Sequence, residues 1–180
     1  MRLRFDRMMN DRCGSPKIIR TAILTLSDKG AKGERADESG MVIREMILTI
    51  GADVRHYEVL PDDQDRITTV LKSLVDTGEI DLILTTGGTG VAPRDVTPEA
   101  TRIVLERELP GMMEAMRSSS LHKTPHAMLS RGVAGIRKQT LIVNLPGSPR
   151  AVRENLAVIL PALSHAIDKI KGDPADCGVH

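Results

Sequence analysis

An α/β fold, a three-layer α/β/α sandwich around a mostly parallel sheet with one antiparallel strand, is the architecture predicted by the 180-residue sequence. Three observations predict it. Short aliphatic or β-branched runs alternate with stretches of helical periodicity, the connections between them are short, and Leu82, Ile83 and Leu84 form an apolar run without alternation. Such a run fits a strand covered by helices on both faces, and alternating elements with short links imply right-handed crossovers.

Residues 18–26 read as the first strand, leading into the polar loop Ser27, Asp28, Lys29, Gly30. Val42, Ile43, Met46, Ile47 and Ile50 recur at helical spacing, and Gly51 supplies a stop. Residues 53–60 read as a strand. Pro61, Asp62 and Asp63 then open a helix with Ile67, Val70, Leu71, Leu74 and Val75 on one face, closed by Thr77 and Gly78. After the strand 81–86 and a glycine-rich loop, helices are expected over 97–106, with Thr97 as N-cap and Pro98 in the first turn, and over 110–119. Met112, Met113 and Met116 in the second read as core filler. An antiparallel strand pair is expected over 133–136 and 140–144 around a turn near Lys138 and Gln139. A long helix follows, carrying Val152, Leu156, Ile159, Leu163, Ile167 and Ile170, with a kink expected at Pro161. One domain over 17–172 is expected, after a leader over 1–16 and before a tail over 173–180.

Composition narrows the function. Twenty-five basic residues against 24 acidic ones give a formal charge of +1, and Phe5 and Tyr57 are the only aromatics. A basic excess or a stacking platform for bases is missing, so nucleic acid is not the expected partner. Cys13 and Cys177 make no disulfide framework or metal-ligand spacing, and no apolar run approaches spanning length; a cytoplasmic protein without membrane attachment is the expectation.

The informative stretch is Thr86, Gly87, Gly88, Thr89, Gly90, followed by Arg94, Asp95, Val96, Thr97 and Pro98. A strand running into three glycines lets backbone amides approach an anion closely. The spacing matches neither the P-loop nor the dinucleotide fingerprint. Asp95 suits Mg²⁺, a hard cation held by one or two carboxylates plus substrate phosphates; its alternative role is a favourable charge at a helix N-terminus, worth roughly 0.3–1 kcal/mol. Asp62 is open to two readings as well, an N-cap or a second metal-binding or catalytic carboxylate. Pro146, Gly147, Ser148 and Pro149 begin the last helix, where Ser148 can cap and free amides can meet an anion. Arg131, Arg137 and Lys138, with Ser118, Ser119 and Lys123, are further candidate donors. His122 and His126 lie near but share no ligand spacing, so no zinc site is assigned. In a parallel sheet all four loops, those at 27–30, 61–63, 86–95 and 146–149, gather at the carboxyl ends of the strands, where ligands bind.

Those segments, together with Met128, Leu129, Ser130, Arg131 and Gly135, Ile136, Arg137 and the run Asn144, Leu145, Pro146, closely resemble the MogA/MoaB family of molybdenum cofactor biosynthesis over about residues 20–172, and the gephyrin G domain. The resemblance implies adenylylation of molybdopterin by Mg²⁺-ATP with release of pyrophosphate. It implies that Asp62 and Asp95 are the catalytic and metal-binding carboxylates and that Gly87, Gly88, Thr89 and Gly90, with Thr86, hold nucleotide phosphates. Ser27 and Asp28 match the family's first loop, whose usual arginine is replaced here around Lys29. Ser130, Arg131, Pro146, Gly147 and Ser148 would line the pterin side. The family also implies a homotrimer or trimer-based hexamer and handover of product to a molybdenum insertase. Two alternatives stand beside it: a molybdopterin-binding protein of MoaB type without transferase activity, and a nucleotide hydrolase of CinA type.

Overall fold

A computed structural model describes residues 18–174; the expected leader and most of the expected tail, with both cysteines, lie outside them. Six strands, β1 (Ile19–Leu26), β2 (Ala52–Leu60), β3 (Leu82–Thr86), β4 (Arg107–Glu108), β5 (Ala134–Arg137) and β6 (Thr140–Leu145), form one sheet in the order β2-β1-β3-β6-β5-β4. β1, β2, β3 and β6 are parallel, and β5 runs antiparallel to both β6 and β4. β5 is therefore the one strand of opposite sense, as expected.

Six helices, α1 (Asp28–Ala31), α2 (Glu38–Ile47), α3 (Gln64–Asp76), α4 (Thr97–Val104), α5 (Pro110–Leu121) and α6 (Pro149–Ile170), complete the fold, with 3₁₀ turns at Leu48–Ile50 and Pro125–Leu129. Alternate residues of each central strand face opposite sides. Ile19 and Ile23 of β1, Leu82 and Leu84 of β3, and Leu141, Val143 and Leu145 of β6 pack with α2, α5 and α6. Ala22, Leu24, Leu26, Ile83 and Ile142 pack with α3 and α4. These two cores make the three layers. Met113 and Met116 are buried in the first of them, as their reading as core filler requires.

Local differences from expectation have physical causes. Asp63, not Asp62, caps α3, its Oδ1 accepting the Arg66 amide at 2.8 Å. Thr97 is the first residue of α4 rather than its cap; the cap position belongs to Val96, which has no side chain able to serve. The Thr97 hydroxyl instead donates to the Gly87 carbonyl at 2.9 Å, tying the helix start back onto the glycine loop. Only Gly87 (φ 97°) and Gly88 (φ 61°) of the three loop glycines use positive φ. α6 runs from Pro149 to Ile170 with Pro161 inside it, the one long helix that was expected. β4, α1 and the 3₁₀ turn at Pro125–Leu129 were not predicted, being too short to carry a period, and the turn at Leu48–Ile50 was read as the end of α2.

Candidate active site

The parallel strands end together. Thr25 of β1 pairs with Thr86 of β3, and Thr86 in turn with Leu145 of β6, while the Ser27 amide donates to the carbonyl of Leu60 at the end of β2. Hence the four loops expected to converge do so at one edge of the sheet.

Close backbone packing holds this edge. A Cβ on Gly87 would stand 2.3 Å from the Leu26 carbonyl oxygen, and one on Gly147 would stand 3.3 Å from the Gly87 Cα. The Thr86 hydroxyl donates to the Pro146 carbonyl at 2.7 Å, and that of Ser39, at the start of α2, donates to the Gly147 carbonyl at 2.7 Å. Ser148 caps α6, its Oγ accepting the Ala151 amide at 3.2 Å. Ser27 caps α1 through the Gly30 amide and borders a separate cavity of about 40 Å³ with Thr25, Arg35 and Asp37.

The carboxylates sit on either side of the glycine loop. Asp62 Oδ2 accepts the Asp28 amide at 3.1 Å, and the Asp62 amide donates back to Asp28 Oδ1 at 3.1 Å. Asp62 Oδ1 is buried without a hydrogen-bond partner, 3.0 Å from where a Cβ on Gly88 would lie. Burial, reinforced by the negative charges of Asp28 and Asp95, pushes the Asp62 carboxyl above its ordinary range against the opposing Asp28 amide and Arg94. Arg94 is paired with Asp28, donating from Nη2 at 2.7 Å and from Nε at 3.0 Å. This holds Asp28 below the usual carboxylate range. Across the loop, Asp95 Oδ2 accepts the Ala92 amide at 2.8 Å and would meet a Cβ on Gly90 at 2.8 Å.

A cavity of about 400 Å³ opens beside the loop. Gly88, Thr89, Gly90 and Asp95 of the glycine loop line it together with Ser130, Pro146 and Gly147, with Ser120, His126, Glu154 and Asn155, and with Met113 and Met116. Its volume suits a ligand of drug or cofactor size, and apolar walls with a few polar groups are typical of such sites.

A family described as "Probable molybdopterin binding domain" matches residues 22–165. The chain belongs to this family. Its relatives include a molybdopterin adenylyltransferase of Helicobacter pylori J99, 43% identical over 87% of this chain and 90% of the relative. Gephyrin of Dictyostelium discoideum is 44% identical over 84% of this chain but only 22% of its own length. Among solved structures, the molybdopterin biosynthesis enzyme MoaB of Thermus thermophilus superposes with a TM-score of 0.80 at 53% identity, covering 88% of this chain and 99% of that one.

Within this family frame the expected site residues separate into groups. Gly88, Thr89, Gly90, Asp95, Ser130, Pro146 and Gly147 meet at the cavity. Thr86, Gly87, Ser27 and Ser148 shape the loops behind it. Asp28, expected to touch ligand, has both carboxylate oxygens occupied by Arg94 and the Asp62 amide. Arg131 does not line the cavity: Nε donates to the Gly90 carbonyl at 2.6 Å, Nη2 to the Asp95 carbonyl at 2.5 Å, and Nη1 to Glu99. It braces the loop from outside. Arg137 and Lys138 belong elsewhere, pairing with Asp76 at 3.8 and 2.7 Å. Their hairpin precedes β6 and so lies at the opposite edge of the sheet. Lys123 pairs with Glu154 at 3.3 Å, and Ser120 rather than Ser118 or Ser119 lines the cavity. Among the described residues, no three His, Cys, Asp or Glu side chains form a metal cluster, and no helix is long and apolar enough to cross a membrane.

Sequence reasoning missed Arg94 as a partner and Ser120, Glu154 and Asn155 as lining residues. Asn155 carried a signal: it stands at i+3 in the stripe Val152, Leu156, Ile159, a polar residue where the period calls for an apolar one. It is buried, with Oδ1 accepting from the Ser120 hydroxyl at 3.2 Å and Nδ2 donating to the Ala151 carbonyl at 2.8 Å.

Proposed function

We propose that the protein adenylylates molybdopterin from Mg²⁺-ATP, releasing pyrophosphate, in the biosynthesis of the molybdenum cofactor. The observation that carries the reading is the approach of two carboxylates from separate loops to one glycine loop, Asp62 at Gly88 and Asp95 at Gly90, where Gly88, Thr89, Gly90 and Asp95, though not Asp62, line a cavity of about 400 Å³. The name of the H. pylori relative supports the same activity.

In this reading a terminal phosphate oxygen of molybdopterin attacks the α-phosphorus of ATP, and the bond from that phosphorus to the bridging oxygen breaks as pyrophosphate leaves. The 88–90 part of the loop receives nucleotide phosphates on its backbone amides, the Gly87 amide being committed to the Leu145 carbonyl, while Ser130, Pro146 and Gly147 face the pterin substrate. Asp95 and Asp62 are the residues that would hold Mg²⁺. The donor set fits: two carboxylates complemented by substrate phosphates are a usual magnesium environment, and Asp62 Oδ1 is a buried oxygen with no competing donor. Bound there, the ion would neutralise charge developing on the phosphates. Arg131 keeps the backbone of Gly90 and Asp95 fixed, so catalysis rests on positioning and preorganised charge rather than on a covalent intermediate.

The test is pyrophosphate release from ATP with and without molybdopterin. Release that requires molybdopterin supports the transferase, and release without it supports a hydrolase. A second reading, a MoaB-type binder without transferase activity, draws on the 53% identity to the Thermus MoaB; tight molybdopterin binding without pyrophosphate release would establish it. A homotrimer or trimer-based hexamer, a cytoplasmic location and a molybdenum insertase as acceptor of the product accompany the proposal, the assembly being measurable by light scattering.

A further inference from the structure

We infer that Arg94 is a positioning residue that sets the spacing of the Asp62 and Asp95 carboxylates by way of Asp28. The inference rests on the reading above, in which those two carboxylates act on one cation.

Asp62 follows β2 and Asp95 follows β3, and β1 lies between those strands in the sheet. The loop after β1 therefore separates the two carboxylate loops, and Asp28 at its head reaches both ways. Toward β2 it makes the reciprocal pair with Asp62, amide to carboxylate in each direction, both at 3.1 Å. This fixes Asp62 Oδ2 and leaves Oδ1 as the free oxygen under Gly88. Toward β3 it accepts the forked pair from Arg94, the residue immediately before Asp95. A continuous chain of contacts thus runs from Asp62 through Asp28 and Arg94 to the backbone of Asp95.

Exposure separates this role from simple stabilisation. The Arg94 side chain is 66% exposed and that of Asp28 36%, and an ion pair so open to solvent adds little to folding. What it supplies is geometry. A guanidinium offers two parallel donors in a rigid plane, whereas a lysine in its place would keep the charge and lose the fork.

The test uses the full-length protein, with Mn·ATP as the probe and its dissociation constant read from the Mn²⁺ electron paramagnetic resonance signal. Arg94→Gln and Arg94→Lys should keep the wild-type melting temperature within a degree or two, as expected for exposed sites, yet both should weaken Mn·ATP binding by about 10- to 100-fold, the range for groups that orient metal ligands. In turnover kcat should fall, with KM for molybdopterin unchanged. Asp28→Asn combined with Arg94→Gln should be no worse than either alone, because both break one chain. Wild-type affinity in Arg94→Lys, or additive losses in the double variant, would overturn the inference. Asp95→Asn distinguishes the two failures. If it binds Mn·ATP as tightly as the wild type, the metal reading itself is wrong; if it loses binding while the Arg94 variants do not, only the positioning role is wrong.

Discussion

Ser39 donates a hydrogen bond from its hydroxyl to the carbonyl of Gly147 at 2.7 Å, joining positions 108 residues apart. Ser39 is buried, and Gly147 lines the cavity of about 400 Å³ beside the glycine loop. The contact ties the N-terminus of α2 to the loop that faces the pterin substrate in the proposed reaction. Ser39→Ala should destabilise the fold by about 0.5–1.5 kcal/mol, the usual net worth of one such bond. It should also raise KM for molybdopterin severalfold, since the freed loop no longer presents Gly147 in one position. Thermal melts and steady-state kinetics measure both; a lowered melting temperature with unchanged KM would limit the contact to a structural role.

Gly88 tolerates no side chain. Its φ of 61° is left-handed, and an added Cβ would lie 2.4 Å from Thr97 Oγ1, a hydroxyl already committed to the Gly87 carbonyl. Gly88→Ala should therefore cost about 1–3 kcal/mol, from strain and overpacking together, and should reduce adenylylation by at least about tenfold, on the scale of misplacing a reacting group. Gly111→Ala is the comparison, because nothing lies within 4 Å of the position its added methyl would take and α5 gains a better helix former. Denaturant titration should show loss in the first variant and none in the second.

Asp81, at the far edge of the sheet from the cavity, gives the fold a pH dependence. Burial by itself would raise its carboxyl. Donors from Arg20 at 2.7 Å and Lys171 at 2.8 Å, with the Arg20 amide, outweigh that and hold it below the ordinary value. A folded-state value below the unfolded one, about 3.9, means the contribution is fully present above about pH 4 and is lost as pH falls through the folded value. Urea midpoints measured from pH 7 down to pH 3 should drop below pH 4, and Asp81→Asn should flatten that drop. The substitution should cost about 3 kcal/mol at pH 7, the lower end for breaking a buried pair, because Arg20 and Lys171 are partly exposed and regain water.

How much of this was legible follows from what carries a period. β1, β3 and β6 were readable as short apolar runs, β2 from its alternation, and α2, α3 and α6 because their apolar residues repeat near 3.6; the sheet's parallel sense followed from the succession of strands and helices. Arg107–Glu108 was not, since two exposed polar residues form β4 only by pairing with β5. In the site, Asp95 and the glycine loop were legible from local chemistry, but Asp28 and Arg94, 66 positions apart, pair only once the sheet is assembled. Arg137 and Lys138 were misplaced for the converse reason. They lie close to Arg131 in sequence, yet β5 carries them to the other end of the sheet. Strand direction, rather than distance along the chain, decides which residues share a site.

Asp95 is the carboxylate whose replacement tests the proposed chemistry most directly. Its backbone is held by Arg131 through the Asp95 carbonyl, and its side chain accepts the Ala92 amide at 2.8 Å through Oδ2. Asn keeps the shape and retains an oxygen for the Ala92 amide while removing the negative charge. Asp95→Asn should therefore fold with a melting temperature near that of the wild type, whereas adenylylation should fall by about 10²-fold or more, on the scale of losing one preorganised electrostatic contact. The loss should appear in kcat, since the proposed Mg²⁺ acts on charge that grows toward the transition state rather than on the pterin face. Pyrophosphate release at saturating molybdopterin measures it, and near-normal turnover by Asp95→Asn would remove this carboxylate from the mechanism.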